Sequence, residues 1–291
     1  MARLSNIRIS LVQALRWLPA MDAFCERLKE LNPKLETDRD ASDRYMNYLN
    51  YHSSASDAFN SGNHLWQNDF RAFEEENIHP KRLMSTLFSD SLYVQTKIDQ
   101  YKLMFGLFRI AGNMQDLDID ISFYDLFEKE ELFTLFQCEN LSFYTCYANS
   151  PLNKGLATAN EQPLLENIID CADKAIAENR TGADLRFGHD IVVAPLAAML
   201  HLGSCDTSVN KPSDIWKAWS TFYVTPMAAN IQLIFFRRKG FADILVKFLL
   251  NEKEMAIPVK TNIWPFYHWN EVKAYYQSLT SIVPDQNRLV N

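Results

Sequence analysis

The sequence predicts an α/β protein, a sheet domain flanked by helices with a mostly helical cap subdomain set into it. Three observations carry this prediction. Ala183 to Phe187, followed by Gly188-His189-Asp190 and the apolar run Ile191 to Leu200, reads as a short buried strand that stops and turns into an apolar helix. The stretch 35–160 is polar and aromatic and lacks strand alternation, so it reads as helical. Near the carboxyl terminus three apolar runs, Ile231 to Phe236, Ile244 to Leu250 and Met255 to Val259, are separated by short turn-like connections, which predicts an antiparallel meander.

Taken in order, residues 1 to about 20 show little regular pattern. Met21, Phe24, Cys25, Leu28 and Leu31 then recur at helical spacing, predicting a helix over 21–32 stopped by Asn32-Pro33. Pro80 stands where a helix begins and would carry Leu83, Met84 and Leu87 inward. A long segment from Ser91 to Asn113 places Tyr93, Ile98, Tyr101, Met104, Phe105, Phe108 and Ile110 along its length. Ser122 with Asp125 three residues on resembles a capping signal before Leu126, Phe127, Leu132, Phe133 and Phe136. These aromatics are read as core.

Leu164, Leu165, Ile168, Ile169, Ala172 and Ile176 form a further helix, ended at Thr181-Gly182. Trp216, Trp219 and Phe222 mark another short helix, and Val272 to Leu279 a last amphipathic one. The domain reading is 1–34 as a remnant of the α/β core that keeps the 21–32 helix, 35–160 as the helical cap, and 161–291 as the α/β core with the His-Asp pair and the terminal antiparallel strands.

Charge excludes whole classes of function. The balance of 29 Lys+Arg against 36 Asp+Glu gives −7, which argues against a nucleic-acid or anionic-membrane partner while leaving room for a local phosphate site. The longest uninterrupted apolar run, Ile191 to Leu200, is too short to span a bilayer, and Gln13 and Arg16 break up any secretory signal at the amino terminus. Five cysteines at irregular spacing (Cys25, Cys138, Cys146, Cys171, Cys205) contain no Cys-x-x-Cys pair and so no zinc site of the usual spacing. They read as small buried thiols, with one or two disulfides left open for an exported chain.

The chemistry concentrates at His189 and Asp190. A Gly at 188 permits a tight turn, and Pro195 suits the first turn of a helix, so strand end and helix start lie close together. Polar side chains at the carboxyl end of a strand in an open α/β sheet are where such folds place their sites. Both residues are therefore expected at the carboxyl end of a central strand, facing a cleft beneath the helical region.

Leu185-Arg186-Phe187-Gly188-His189-Asp190, with its apolar helix, resembles the second signature of the histidine acid phosphatases, the branch of the histidine phosphatase superfamily that contains phytases and multiple inositol polyphosphate phosphatases. Ile121 to Phe127, Pro226 to Gln232 and Val246 to Glu252 support it, and the resemblance runs from about Met21 onward. It implies a phosphoglycerate-mutase-like sheet domain and cofactor-free, metal-free hydrolysis of a phosphorylated small molecule, phytate or another phosphomonoester. His189 would donate to the phosphate and Asp190 would protonate the leaving alkoxide. It also implies a periplasmic or extracellular setting.

The family's nucleophile is the His of an Arg-His-Gly-x-Arg-x-Pro motif on the first core strand. None of the six histidines here follows an Arg, so the nucleophile and its two arginines are absent. Arg16 stands about where the family carries a further phosphate-binding arginine, among neighbours that do not match the family pattern. The front of the chain thus reads as truncated or frame-shifted. Loss of the first strand is expected to leave neighbouring strands unpaired, with little activity and low solubility. Two other readings stand beside this one. A metal phosphohydrolase of the HD type also uses an adjacent His-Asp pair, but on a helix with further ligands. A non-catalytic phosphate-binding or interaction protein would keep the fold alone.

Overall fold

The computed structural model of the chain describes residues 6–11, 18–61, 65–115 and 117–280. In chain order the elements are β1 (Asn6–Leu11), α1 (Leu18–Leu31), β2 (Glu36–Ala41), α2 (Met46–Leu49), α3 (Ser54–Ser61), α4 (Leu65–Asn77), α5 (Lys81–Leu87), α6 (Ser91–Lys97) and α7 (Gln100–Met114). There follow α8 (Lys129–Tyr147), α9 (Leu156–Ala159), α10 (Gln162–Ala177), β3 (Gly182–Phe187), α11 (Asp190–Met199), α12 (Pro212–Ala218) and α13 (Thr221–Val224). The chain closes with β4 (Ile231–Arg237), β5 (Ile244–Leu250), β6 (Lys253–Met255), β7 (Tyr267–His268) and α14 (Trp269–Thr280). No helix among the described residues is long and apolar enough to cross a membrane.

Two compact units divide the chain: Met1–Gly62 with Tyr144–Asn210 and Ala218–Asn291, and Asn63–Phe143 with Lys211–Lys217. The first unit holds both sheets. One is three-stranded in the order β2-β1-β3 and wholly parallel, with Leu11 of β1 level with Ala41 on one side and Phe187 on the other. The first strand is therefore in place, paired along both edges. The expectation that its loss would leave its neighbours unpaired is corrected.

Alternation along β3 sorts its side chains. Ala183, Leu185 and Phe187 pack with Met21, Cys25, Leu28 and Leu35, and the Phe187 ring meets that of Phe24 edge to face at 5.6 Å. On the other face Arg180 donates to Asp184 (2.9 Å) and Arg186 to Asn167 of α10. Helices thus serve both faces of the strand, as parallel sheets require. β3 is half-buried throughout and lies at an edge of its sheet, with β1 central, so the expected buried central strand is corrected on both points.

The second sheet is antiparallel, β4-β5-β6, with β7 on the remaining part of β5. Its third strand begins at Lys253, two residues earlier than the apolar pattern predicts. Asn251 and Glu252 both have positive φ, which closes a two-residue hairpin and pairs Leu250 with Lys253. Ala256 leaves the ladder and accepts from Gly203 N at 2.9 Å.

Helix ends also differ from the sequence reading, for local reasons. The run 91–113 is two helices, because the Asp99 carboxylate accepts from Lys102 N (3.0 Å) and starts α7 afresh. Ser122 caps only a 3-10 turn at Tyr124–Leu126, and α8 begins at Lys129. Asn179, at φ +52°, ends α10, with Arg180 N bonding back to Ala175 O at 3.0 Å, and Gly182 opens β3 instead. Pro195 lies inside α11, beyond its first turn.

The second unit is helical. Ile78, Leu83, Met84, Val94, Met104, Leu135 and Cys138 form its core, ringed by half-buried aromatics that include Phe70, Phe73, Tyr101 and Phe108. Arg82 forks onto Glu131 (2.8 Å from Nε) and reaches Leu126 O at 2.7 Å. All five cysteines are free thiols, and only Cys171 is not fully buried.

Candidate functional site

The three parallel strands end level, at Leu11, Ala41 and Phe187, so the segments after Ala41 and Phe187 leave the sheet at one end. Ligands of open α/β sheets gather at this end. After β3 the chain passes through Gly188. His189, in extended conformation (φ −110°, ψ 162°), is the N-cap of α11 and Asp190 is its first residue. The His189 carbonyl accepts from Val192 N (3.1 Å) and Val193 N (3.0 Å), which turns the chain sharply into the helix. His189 is half-buried and Asp190 exposed, with Asp190 Oδ1 accepting from Ile191 N at 2.9 Å. The positive end of the α11 dipole adds to the attraction for an anion beside His189.

Gly188 is not there for a left-handed backbone, since its φ is not positive. A Cβ at this position would lie 3.8 Å from Leu49 O, an ordinary contact. The carbonyl of the last residue of α2 thus lies against the turn that presents His189. The next residues, Asn50 to Ser53, run from that contact into α3. Ser53 N there donates to Asn160 Oδ1 at 3.2 Å, and His52 Nε2 lies 3.4 Å from Asn50 Oδ1.

Tyr147, the last residue of α8, is half-buried in the same unit. Burial holds its hydroxyl above the usual phenol range, helped by Cys146 and by the charges of Asp190 and Asp57. Its phenol therefore stays protonated and able to donate. The neighbouring Cys146 thiol is pushed up to about 12 by burial and is not a nucleophile. Leu49, Asp57 and Tyr147 carried no motif that sequence reading could find. Tyr147 is one aromatic among many, and Asp57 lies on a short helix that only the fold brings near Asp190.

Of the sequence-predicted residues, the structure sets His189 and Asp190 side by side at the strand end. Arg16 lies outside the described residues. Arg186 points to α10, where Nε and Nη2 donate to Asn167 Oδ1 at 3.2 and 2.6 Å. Arg44 follows β2 at the same end of the sheet, ion-paired to Asp40 and bonded to the Tyr45 hydroxyl at 2.7 Å. His201 faces Asp206 and the Tyr275 hydroxyl, each at 3.3 Å, and His268 faces Asp243 at 2.9 Å. No group of three or more His, Cys, Asp or Glu among the described residues could hold a metal ion. His189 and Asp190 also leave a strand for a helix N-terminus, unlike the within-helix pair an HD-type site uses.

Neither a protein-family profile nor a curated protein sequence matches the chain. Solved structures do. The phytase from D. castellii matches at a TM-score of 0.63 with 12% identity, over 96% of this chain and 59% of that one. The Bifidobacterium longum multiple inositol polyphosphate phosphatase bound to inositol hexasulfate matches at 0.56 with 17% identity, over 80% of this chain and 56% of that one. The same enzyme with phosphate matches at 0.57 with 18% identity, over 82% and 58%. The chain has a histidine acid phosphatase-like fold, an α/β domain with a helical part. It spans less than three fifths of the length of the structures it matches.

Proposed function

We propose that this chain is a phosphoester-recognising protein built on the phosphatase fold, with the phosphate-binding and proton-donating half of the site present and the nucleophilic histidine absent. His189 and the amino end of α11 would hold a phosphate group, and Asp190 would face the ester oxygen as proton donor. Phosphomonoesters are the ligand class, with inositol polyphosphates first to test, because the matched structures are a phytase and an inositol polyphosphate phosphatase. A periplasmic or extracellular setting goes with the same reading.

One observation carries the division of labour. β1 stands in the centre of the parallel sheet with its carboxyl end level with that of β3, yet residues 12–17, which follow it, contain no histidine. In-line displacement at phosphorus needs a nucleophile opposite the leaving oxygen, and protonation of that oxygen by Asp190 cannot replace it. Turnover is therefore expected at little above background. General-acid help from Asp190, ordinarily worth about 10²–10⁴-fold, would be expressed only once a nucleophile is supplied.

The experiment measures binding and turnover side by side on the full chain. Titration calorimetry with inositol hexakisphosphate and with inorganic phosphate should show binding that His189→Ala weakens at least about tenfold, while Asp190→Asn leaves it within a few-fold. Acid phosphatase activity should be negligible in all three proteins. Robust turnover by the unaltered chain, abolished by His189→Ala, would overturn the reading and make His189 itself the nucleophile. Absence of any binding would reduce the site to a structural remnant.

A further inference from the structure

The helical unit carries a groove and a segment of complementary character. The groove encloses about 380 Å³ along one face of α7. Its floor is Ile98, Leu103, Leu107 and Ile110, and Lys97 and Lys102 stand at its amino-terminal end. Gly106 keeps the floor open, since no atom lies within 4 Å of where its Cβ would be. Asp99 also borders the groove, but its carboxylate is engaged in capping α7 through Lys102 N. The local charge is positive in a protein of net charge −7.

Just beyond α7 lies the segment Leu117-Asp118-Ile119-Asp120-Ile121. Its apolar side chains are 56%, 49% and 60% exposed for Leu117, Ile119 and Ile121, as is Ile110 in the groove at 49%. Four exposed aliphatic side chains on one short stretch of one unit exceed the scattered apolar exposure of an ordinary surface. Two acids alternate with them. None of Lys97, Lys102, Asp118 or Asp120 enters an ion pair among the described residues.

We infer that two copies of this chain associate through a reciprocal exchange, the 117–121 segment of each lying in the α7 groove of the other. In an antiparallel pair of α7 helices with a two-fold axis beside Ile110, positions equally far on either side of Ile110 face each other. The segment beyond Met114 of each copy then comes to the amino-terminal half of the second copy's groove, where Leu103, Lys102, Ile98 and Lys97 stand. Apolar side chains meet the apolar floor and carboxylates meet ammonium groups, and Ile110 packs on its own copy at the axis. Two copies of one surface are self-complementary, so the assembly closes as a dimer and does not propagate.

Sedimentation velocity on the full chain, over a roughly hundredfold concentration series, tests this. The wild-type chain should dimerise, with the dimer weakened by raised salt. Lys97→Glu with Lys102→Glu puts acids against acids, and Asp118→Lys with Asp120→Lys puts lysines against lysines. Each double variant alone should associate at least about tenfold more weakly. Mixed in equal amounts the two should form a heterodimer, because each groove then meets a segment of opposite sign. Circular dichroism checks that both fold, and Ile119→Asp, at an exposed side chain, is the substitute for either that does not. A wild-type chain monomeric throughout, charge variants that associate as well as wild type, or a mixture that stays monomeric would each overturn the inference.

Discussion

Tyr144→Phe removes one oxygen atom and tests how the end of α8 is held. Tyr144 is wholly buried, and its hydroxyl accepts from Val209 N at 2.8 Å while facing the carbonyls of Thr207 (3.0 Å) and Asn149 (3.2 Å) as donor. Its ring packs against that of Trp219 at 5.5 Å, a contact that Phe preserves. The substitution therefore isolates the hydrogen bonds. Val209 is half-buried, so its orphaned N–H costs about 1–2 kcal/mol, and the lost hydroxyl donor about 0.5–1.5 kcal/mol more. The two carbonyls share a single proton, so the second of them loses little. A total of about 2–3 kcal/mol follows, which at an m-value of about 3 kcal/mol/M moves a urea midpoint by about 0.7–1 M. The assay is urea unfolding followed by tryptophan fluorescence, with Tyr223→Phe, at a residue 76% exposed, as the control that should not move. A midpoint shift for Tyr144→Phe no larger than the control's would refute the reasoning and mean that water or backbone relaxation satisfies Val209 without the tyrosine.

Glu161 is 4% exposed, and burial raises its carboxyl well above the usual range. A raised folded pKa means the cost is absent at acid pH, grows as pH climbs from the unfolded value of about 4.3 through the folded one, and then stays constant. Glu161→Gln should therefore match wild type near pH 4 and be the more stable above neutrality. Parallel melting profiles of the two across pH would contradict this. Burial pushes Glu131 up, but hydrogen bonds from Arg82 outweigh it and hold the carboxyl below its usual range. Arg82→Met should then cost about 1–2 kcal/mol at neutral pH, discounted for the partly exposed guanidinium, with the difference shrinking as pH falls through the folded Glu131 value. Gly188→Ala should change stability by less than about 0.5 kcal/mol. Gly203→Ala, at φ +57° with its Cβ 2.6 Å from Met255 Cε, should cost about 1–2 kcal/mol in the same denaturation assay.

Legibility in the sequence followed what each element is made of. β3 and α11 were readable because a strand alternating Ala183, Leu185 and Phe187 with polar residues, a glycine and an apolar helix stand in close succession. β2, Glu-Thr-Asp-Arg-Asp-Ala, was not, since a strand held at the edge of a sheet by backbone pairing to β1 needs no apolar pattern of its own. β1 shows a weak alternation of Asn6, Arg8 and Ser10 with Ile7, Ile9 and Leu11, which is too short to separate from its surroundings without the partners that flank it. β7 is two residues long and exists only because Leu245 and Val246 offer it a register. His189 and Asp190 were visible as a motif. Tyr147 and Asp57 were not, because their relation to Asp190 is a product of helices far apart in sequence.

The presence of β1 separates two quantities that the missing motif had joined. A parallel ladder is held by backbone hydrogen bonds and by the side chains that cover its faces, whereas residues after the last rung contribute nothing to pairing. Leu11 is the last rung here, level with Ala41 and Phe187. A histidine placed after it would answer to chemistry alone, and its absence costs the sheet no bond. A strand end without a histidine after it is for that reason compatible with a fully paired parallel sheet. The amino end of α11, the His189 turn and its contact with Leu49 are built on β3 and α2. Recognition of a phosphate group rests on groups of that kind, and in-line attack rests on one side chain, so affinity and turnover can part company in this fold. Binding measured without catalysis would thus be the signature of the proposed phosphate-recognising site.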